Sequence, residues 1–333
     1  MGSIPMSRWS TISTRSGSPN MLSFVLRRLG AMALTMLVVS AVVFGLMELI
    51  PGNVATMVLG PYASDEQKSI WLSANGYLEP AWCRYGVWLA NFMQGDFGHS
   101  IRFKVPVGDV LWPRLGRTAI LGVSALAVIV PLSLTLGVLA GMREGSIIDR
   151  LISVIGIVTT SIPEFASAVF LTGIFVFWLQ WLPGASTMSD GFEAVQLVLP
   201  VLVLVLYDFG YIARMTRASM IDVIATPYIR TAILKGLPRR QVILRHAFRN
   251  ALIAPFTVIM LQINWLLSGV IVVEFFFAYK GFGALLLEAA LNRDVFVIEA
   301  CAMIAVFVAV ATQALADIGY AFLNPRIRFG SAD

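Results

Sequence analysis

The chain alternates long apolar stretches with shorter polar ones. Six of the apolar stretches are long enough to cross a bilayer as a helix, which takes roughly 20 residues. They lie at about 29–50, 118–141, 151–181, 196–216, 251–276 and 299–322. Because backbone polar groups cannot remain unpaired in lipid, helices are expected rather than open strands. The pattern predicts an all-α polytopic membrane protein with six transmembrane helices, of which the third is long enough to tilt or to kink at Pro163.

Lysine and arginine are distributed unevenly between the polar segments. With six spans, both ends of the chain lie on one side of the membrane. The segments on that side carry 16 Lys and Arg residues, whereas those on the other side carry 8. Because cytoplasmic loops are enriched in these residues, the bias predicts that both termini are cytoplasmic. The most basic segment, 217–250, lies on the same side.

Composition supports the membrane assignment. Apolar residues make up 58% of the chain and charged residues 13%, whereas soluble domains carry about 25% charged residues. Residues 1–20 are rich in Ser, Gly and Pro and are predicted to be a disordered tail, which leaves 21–333 as the transmembrane domain. Segment 51–117 combines turn signals with aromatic residues and is predicted to form an extracytoplasmic cap. This cap is either a structural cover or a surface that grips a partner.

Motifs for catalysis or cofactor binding are absent from the sequence. No Gly-x-x-x-x-Gly-Lys-Ser/Thr phosphate loop occurs, so this chain is not expected to bind ATP by that mechanism. The histidines, His99 and His246, lie in polar segments on opposite sides of the membrane. They leave no Ser–His–Asp set and no Cys/His cluster with metal-ligand spacing. The chain is therefore expected to be non-catalytic and to bind no metal.

The basic run at 228–251 reads YIRTAILKGLPRRQVILRHAFRNA and predicts two short helices. Thr226 and Pro227 form a helix start, Gly236 is a left-handed stop, and Pro238 can open the second helix. Helical spacing predicts an apolar face on each helix. The two faces consist of Ile229, Ala232 and Ile233, and of Val242, Ile243 and Phe248.

Three interpretations of this helix pair differ in its partner. The pair is suited to docking into a groove on another protein. Its arginines are also suited to contact with anionic lipid. A DNA-reading helix-turn-helix would have a similar form, but membrane spans tether this loop at both ends, so no nucleic-acid partner is expected.

Several motifs together resemble one family. The loop sequence YIRTAILKGLPRRQVILRHAFRNALIAP is similar to the cytoplasmic loop of bacterial binding-protein-dependent ABC importer permeases, in the dipeptide/oligopeptide/nickel branch. FVLRRLG, LIPGN, QGDFGHSI, ARMTRASMIDV, VVEFFF and ADIGYAFLNPRIR also resemble that branch. Two positions depart from it: Lys280 stands where Pro often precedes Gly281, and Asn324 where Asp usually precedes Pro325.

The resemblance implies a type I importer permease fold and the role of the first, B-type permease subunit in the bacterial inner membrane. Its implied partners are a second homologous permease, two cytoplasmic ATPase subunits that carry ATP and Mg, an extracytoplasmic solute-binding protein and membrane lipid. Peptides, nickel complexes and related solutes are handled across the branch. The resemblance also implies that the 226–250 loop couples ATP hydrolysis to transport. The loop residues assigned to coupling are Arg230, Thr231, Ala232, Lys235, Gly236, Leu237, Arg239, Arg240 and Arg245.

Ionisable residues at membrane depth are candidates for function. The candidates for the pathway or its gate are Glu164, Phe165, Gln262, Asn264 and Glu274. For Glu48 and Glu274, at the outer ends of their spans, structural and gating roles are both open. Asp208 and Asp317 are expected to pair with nearby arginines.

Two alternatives remain at this stage. Polar residues of the fifth span can also hold helices together, and Gly137 and Gly141 form a Gly-x-x-x-Gly motif that indicates close helix packing. The acidic residues would also suit an ion-coupled secondary transporter, which is the alternative to the importer.

Overall fold

The computed structural model describes residues 21–49, 54–188 and 191–323. Within these ranges the regular structure is helical, apart from one isolated bridge between His99 and Pro106. The helices are α1 (Met21–Glu48), α2 (Val54–Leu59), α3 (Asp65–Ala74), α4 (Ala81–Met93), α5 (Val107–Gly141), α6 (Ile147–Ser161), α7 (Glu164–Thr172), α8 (Ala194–Ile224), α9 (Pro227–Leu234), α10 (Arg239–Gln241), α11 (Phe248–Ala251), α12 (Ile253–Phe276), α13 (Phe282–Leu291) and α14 (Val295–Leu323), with π-helical segments at Gly173–Trp178 and Val242–Ala247. The tail predicted at 1–20 lies outside the described residues.

Membrane-length helices coincide with the predicted spans. In the described ranges, four single helices are long and apolar enough to cross a membrane, namely Leu26–Glu48, Val107–Gly141, Ala194–Ile224 and Val295–Asp317. Two bent pairs, Ile147–Ser161 with Glu164–Trp178 and Val242–Ala251 with Ile253–Ile263, bring the number to as many as six. The prediction of an all-α polytopic membrane protein is confirmed.

The third span is broken rather than kinked. Its two halves, α6 and α7, are bent by 102° relative to each other. Between them Ile162 is extended, with φ −87° and ψ 124°, and Pro163 has ψ 145°. A proline ring disfavours the helical conformation of the residue before it, and proline has no backbone donor. The expectation of one long helix over 151–181 is therefore corrected to two helices.

Close glycine contacts bring the central helices together. α5 and α8 form the most extensive helix pair of the described chain. A Cβ on Gly141 would lie 2.7 Å from the Cβ of Met220, and a Cβ on Gly137 would overlap Thr216. The predicted packing role of Gly137 and Gly141 is confirmed.

Apolar packing divides the bundle into three levels. Side chains of α5, α7, α8 and α12 fill the centre. A second cluster joins the start of α5 to α13 and α14, at the end of the bundle that carries α2–α4. A third joins the end of α8 to α9 and the segment after it. We name the end of the bundle that carries α2–α4 the cap end, and the end that carries α9 the loop end.

The predicted cap folds as three short helices, α2–α4, at the cap end. Trp88 on α4 donates a 2.9 Å hydrogen bond to Glu299 on α14, and Arg84 pairs with Glu48 at the end of α1. The cap ends earlier than predicted, because α5 begins at Val107 and not near residue 118. Val107 and Leu111 are fully buried in the cap-end cluster, and this packing extends the helix through a stretch that polar residues interrupt.

Candidate functional site

The first candidate site is the loop that follows α8. α9 begins with Pro227, and Gly236 adopts a φ of +75° after it, so the predicted start and left-handed stop are confirmed. The expected side-chain cap is wrong: the Thr226 hydroxyl donates to the carbonyl of Val223 and caps no α9 amide. Position 236 favours glycine because a side chain is strained in the left-handed region.

The two predicted apolar faces of this loop point largely into the chain itself. Ile229 and Ala232 are buried in the loop-end cluster together with Met220 and Val242, whereas Ile233 is 57% exposed. α8 extends to Ile224, well past the predicted end of its span, and this extension supplies the surface that covers α9. The apolar surface that remains free in this chain consists of Tyr228, Ile233, Leu234 and Leu244.

Most residues assigned to coupling lie on the exposed side of the loop. Ala232 is buried, and Leu237 packs partly buried against the loop-end cluster. The side chain of Arg239 lies outside the described part of the chain. The exposed members are Arg230, Thr231, Lys235, Gly236, Arg240 and Arg245. The exposed side of the loop is therefore basic, with a small apolar component.

Hydrogen bonds hold the loop together and attach its end to α8, and an ion pair joins α8 to α6 nearby. Asn250 donates to the hydroxyl of Tyr228 at 2.8 Å, and Ser219 on α8 donates to the carbonyl of Ala251 at 2.8 Å. On the same end, Arg217 forms a two-point ion pair with Asp149 at the start of α6. The end of the loop is therefore attached to α8, and α8 is attached to α6 at the same end of the bundle. Sequence reasoning did not identify this ion pair, because its two residues lie far apart along the chain.

The second candidate site is a groove beside the break in the third span. Two adjoining cavities of about 370 Å³ and 220 Å³ share Thr160 and Tyr207 in their walls. We name the pair of cavities the polar groove. The polar residues that line it include Thr160, Glu164, Tyr207, Asp208, Arg214 and Gln262. It therefore lies where α6, α7, α8 and α12 meet.

Asp208 and Gln262 meet inside this groove. Asp208 is fully buried, and its Oδ1 accepts a hydrogen bond from Nε2 of Gln262. The expectation that Asp208 pairs with an arginine is wrong for the described residues, where it has no ion pair. Arg214 lies six residues further along α8 and donates from Nε to the carbonyl of Gly210 at 3.2 Å. The contact between Asp208 and Gln262 joins α8 to α12, which no sequence pattern indicated.

Glu164 and Phe165 stand at the start of α7, where the third span resumes. Glu164 and Phe165 both line the larger cavity of the groove. Phe165 is 59% exposed. The polar groove thus brings together Glu164, Phe165 and Gln262 of the predicted pathway residues. Asn264 belongs to α12, but its side chain lies outside the described part of the chain.

Glu274 occupies a different environment at the cap end. It is fully buried and accepts hydrogen bonds from the Thr118 hydroxyl and, at 2.9 Å, from the amide of Ala284. Thr118 in turn accepts a 2.7 Å bond from the amide of Phe282. Glu274 thereby stabilises the first turn of α13. This geometry favours the structural role among the two that the sequence left open.

Tyr279 adds a further hydrogen bond at the cap end. Its hydroxyl donates to the carbonyl of Arg117 at 2.7 Å. Burial raises the pKa of Tyr279 to about 12, with the Glu274 charge adding to the effect. The phenol therefore keeps its proton and remains a donor at neutral pH. We name the contacts of Glu274, Thr118 and Tyr279 the cap-end network.

Asp317 and Glu48, two further acids that the sequence placed at or near membrane depth, have arginine partners. Asp317 on α14 pairs with Arg28 on α1, which confirms the expectation for Asp317. Glu48 pairs with Arg84 of the cap. Both residues join peripheral parts of the chain to the bundle, and neither lines the polar groove.

Comparison with known proteins gives concordant results. Residues 133–329 match the family model described as "Binding-protein-dependent transport system inner membrane component", and residues 21–130 match the model of the corresponding N-terminal region. The two matches together extend over nearly all of the described chain.

Similar proteins match over almost their whole length. The chain is 34% identical over 313 residues to a Brucella abortus protein named for a peptide transport system permease, covering 93% of this chain and 100% of that protein. It is 32% identical to the oligopeptide transport system permease protein AppB of Bacillus subtilis, covering 93% and 100%. It is also 32% identical to the dipeptide transport system permease protein DppB of Escherichia coli, covering 92% and 99%.

Proposed function

The chain belongs to the family of binding-protein-dependent transport system inner membrane components and is a permease subunit of an ABC importer, and on this basis we propose that it forms half of a pathway for peptides or a related small solute. It is a non-catalytic, multi-pass subunit of the inner membrane. The names of the similar proteins support the solute class, since they include dipeptide and oligopeptide transport permeases. Family membership also favours the ATP-driven importer over the ion-coupled transporter.

The coupling proposal rests on one observation: the loop at the loop end is packed on the bundle by one face and exposed on the other. Its buried face packs on the end of α8, while its basic face and Leu234, 80% exposed, remain free in this chain. We propose that this free face seats in a cleft of a cytoplasmic ATPase subunit. Exposed apolar side chains bordered by charge are typical of protein–protein contacts. The arginines of the same face are placed for a secondary contact with anionic lipid.

The proposed assembly contains three further kinds of partner for this chain. A second, homologous permease would complete the pathway, and two ATPase subunits would bind ATP and Mg. A solute-binding protein would deliver the solute on the opposite side, next to the cap. This arrangement requires a cytoplasmic loop end and cytoplasmic termini, in agreement with the distribution of Lys and Arg.

Charge reversal at Arg230 tests the coupling proposal. Arg230 is exposed on α9 and has no ion pair among the described residues. We expect Arg230→Glu to lower ATP-driven uptake by about tenfold or more, as for residues central to an interface. Uptake is measured in vesicles that contain the complete complex, together with the amount of ATPase subunit that co-purifies.

Arg143→Glu is the matched control, because Arg143 is also exposed at the loop end but lies outside the loop. It should insert and transport like the unmodified protein. Normal uptake by Arg230→Glu, at a normal level of inserted protein, would rule out the coupling role of this face. Uptake by the unmodified complex that needs no ATP would rule out the importer itself.

A further inference from the structure

The polar groove contains more acidic than basic side chains. Glu164 and Asp208 contribute two carboxyl groups, and Arg214 contributes one guanidinium. The two cavities share Thr160 and Tyr207 in their walls, so the two acids line neighbouring spaces. Ionisable side chains at membrane depth usually have a partner or a function.

Each of the two acids has an oxygen atom that lacks a donor among the described residues. Asp208 is fully buried; Gln262 satisfies its Oδ1, but Oδ2 has no hydrogen-bond partner among the described residues. Oε2 of Glu164 is also shielded from solvent and lacks a partner in that part of the chain. A buried carboxylate without a partner is strongly unfavourable, so such a group either takes up a proton or binds a cation. A cation that enters the groove would relieve this cost.

Arg214 does not supply that cation within this chain. Its Nε is used by the carbonyl of Gly210, on the preceding turn of α8. The ion pairs of the described residues use other arginines, namely Arg28, Arg84, Arg102, Arg114 and Arg217. The two acids of the groove therefore have no ion pair in the described chain, although Arg214 lies in the wall of the same groove.

We propose that the polar groove binds the primary ammonium group of the solute during its passage, between the carboxyl groups of Glu164 and Asp208. This inference rests on the proposed function and specifies its substrate class: solutes with a free amino group. An ammonium has three donors and no acceptor, which matches acceptor atoms that lack donors. Gln262 acts as a positioning residue, because its amide holds Asp208 through Oδ1.

The test uses the purified complex of this permease with its partner permease and ATPase subunits, held in nanodiscs without the binding protein. The two probes are alanyl-alanine and N-acetyl-alanyl-alanine, which differ in the charge of the amino end. We expect the unmodified complex to bind alanyl-alanine about tenfold more tightly, as a charge-assisted contact predicts. Asp208→Asn and Glu164→Gln should each remove most of this preference.

Asp222→Asn is the matched control, because Asp222 lies on the same helix but is exposed at its loop end. It should retain the full preference. An unmodified complex without preference, or a preference that survives in both groove variants, would overturn the proposal. Loss of the partner permease from the Asp208→Asn complex would also overturn it, by assigning the carboxylate to a contact between subunits.

A separate measurement distinguishes this failure from failure of the proposed function. ATP-driven uptake by the unmodified complex with its binding protein reports on the importer alone. Uptake without amino-group preference at the permease would reject only the groove assignment. Absence of ATP dependence would reject the proposed function as well.

Discussion

Two fully buried acids, Glu274 and Asp208, have very different surroundings. Glu274, at the cap end, accepts bonds from the Thr118 hydroxyl and the Ala284 amide, so each oxygen has a donor. Asp208, in the polar groove, accepts one bond from Gln262 and leaves its second oxygen without a donor in the described chain. Both acids lie within helices that cross the bundle.

The difference shows that burial alone does not separate structural from functional acids. Nearly all buried polar groups in folded proteins have a hydrogen-bond partner, so an unpaired group calls for an explanation. The fold alone explains the burial of Glu274, because its carboxyl group stabilises the first turn of α13. Asp208 has an adjoining cavity and an incomplete set of partners, which together indicate a role outside the folded chain.

The largest expected effect comes from filling the space beside Glu274. A Cβ on Gly281 would overlap the Glu274 carboxyl group, whose position Thr118 fixes. We expect Gly281→Ala to lower the free energy of unfolding by about 3 kcal/mol, the upper part of the range for overpacking. Thermal unfolding of the purified chain in detergent measures the change.

Gly122→Ala provides the control for this substitution. Apart from its chain neighbours and the backbone of its own helix, nothing in the described chain lies within 4 Å of a Cβ at Gly122 on α5. That variant should be as stable as the unmodified protein or slightly more stable, since alanine favours helix. Equal stability of both alanine variants would show that the cap-end network rearranges around a side chain at position 281 at little cost in stability.

A smaller loss is expected when Glu274 keeps its shape but loses its charge. In Glu274→Gln an amide NH₂ replaces one acceptor oxygen, so either Thr118 or the Ala284 amide loses its acceptor. The cost should be about 1–3 kcal/mol, the usual penalty for a buried unsatisfied group. The thermal unfolding midpoint should fall accordingly.

The matched control for Glu274→Gln is Glu288→Gln. Glu288 is partly exposed and lies 3.9 Å from both Arg102 and Arg114. Ion pairs of this exposure contribute little to stability, so its midpoint should hardly change. A comparable fall in both variants would mean that loss of charge, rather than loss of an acceptor, is responsible.

The sequence predicted local features of the fold with good accuracy. The apolar stretches located the spans, and Gly236 has the positive φ that its place after a helical pattern predicts. The break at Pro163 was underestimated as a kink, although the proline marked its place. Apolar length and backbone preference act over a few residues, so they can be recognised without knowledge of the fold.

The candidate site was harder to predict than these local features, because contacts between distant segments form it. Gln262 meets Asp208 from a helix 54 residues away in sequence, and Arg217 meets Asp149 across 68 residues. The apolar pattern of α9 alone does not show whether its apolar face is free for a partner or covered by the same chain. The extension of α8 covers it, and no residue of α9 indicates this extension. Such pairings depend on how helices pack, which a single sequence does not encode in any local period.

The smallest expected change in stability is that of Asp208→Asn, chemically the same kind of change as Glu274→Gln. The asparagine Oδ1 still accepts from Gln262. Its NH₂ group replaces an oxygen that has no donor in the described chain, and removal of the unpaired acid offsets the cost of burying this NH₂ group. We therefore expect the free energy of unfolding to fall by no more than about 0.5 kcal/mol, or to rise, whereas most of the preference for an ammonium group is lost. Thermal unfolding of Asp208→Asn and Glu274→Gln side by side is the decisive measurement. An equal fall in both midpoints would mean that Asp208 is as fully satisfied as Glu274 in the folded chain, and the contrast between the two acids would disappear.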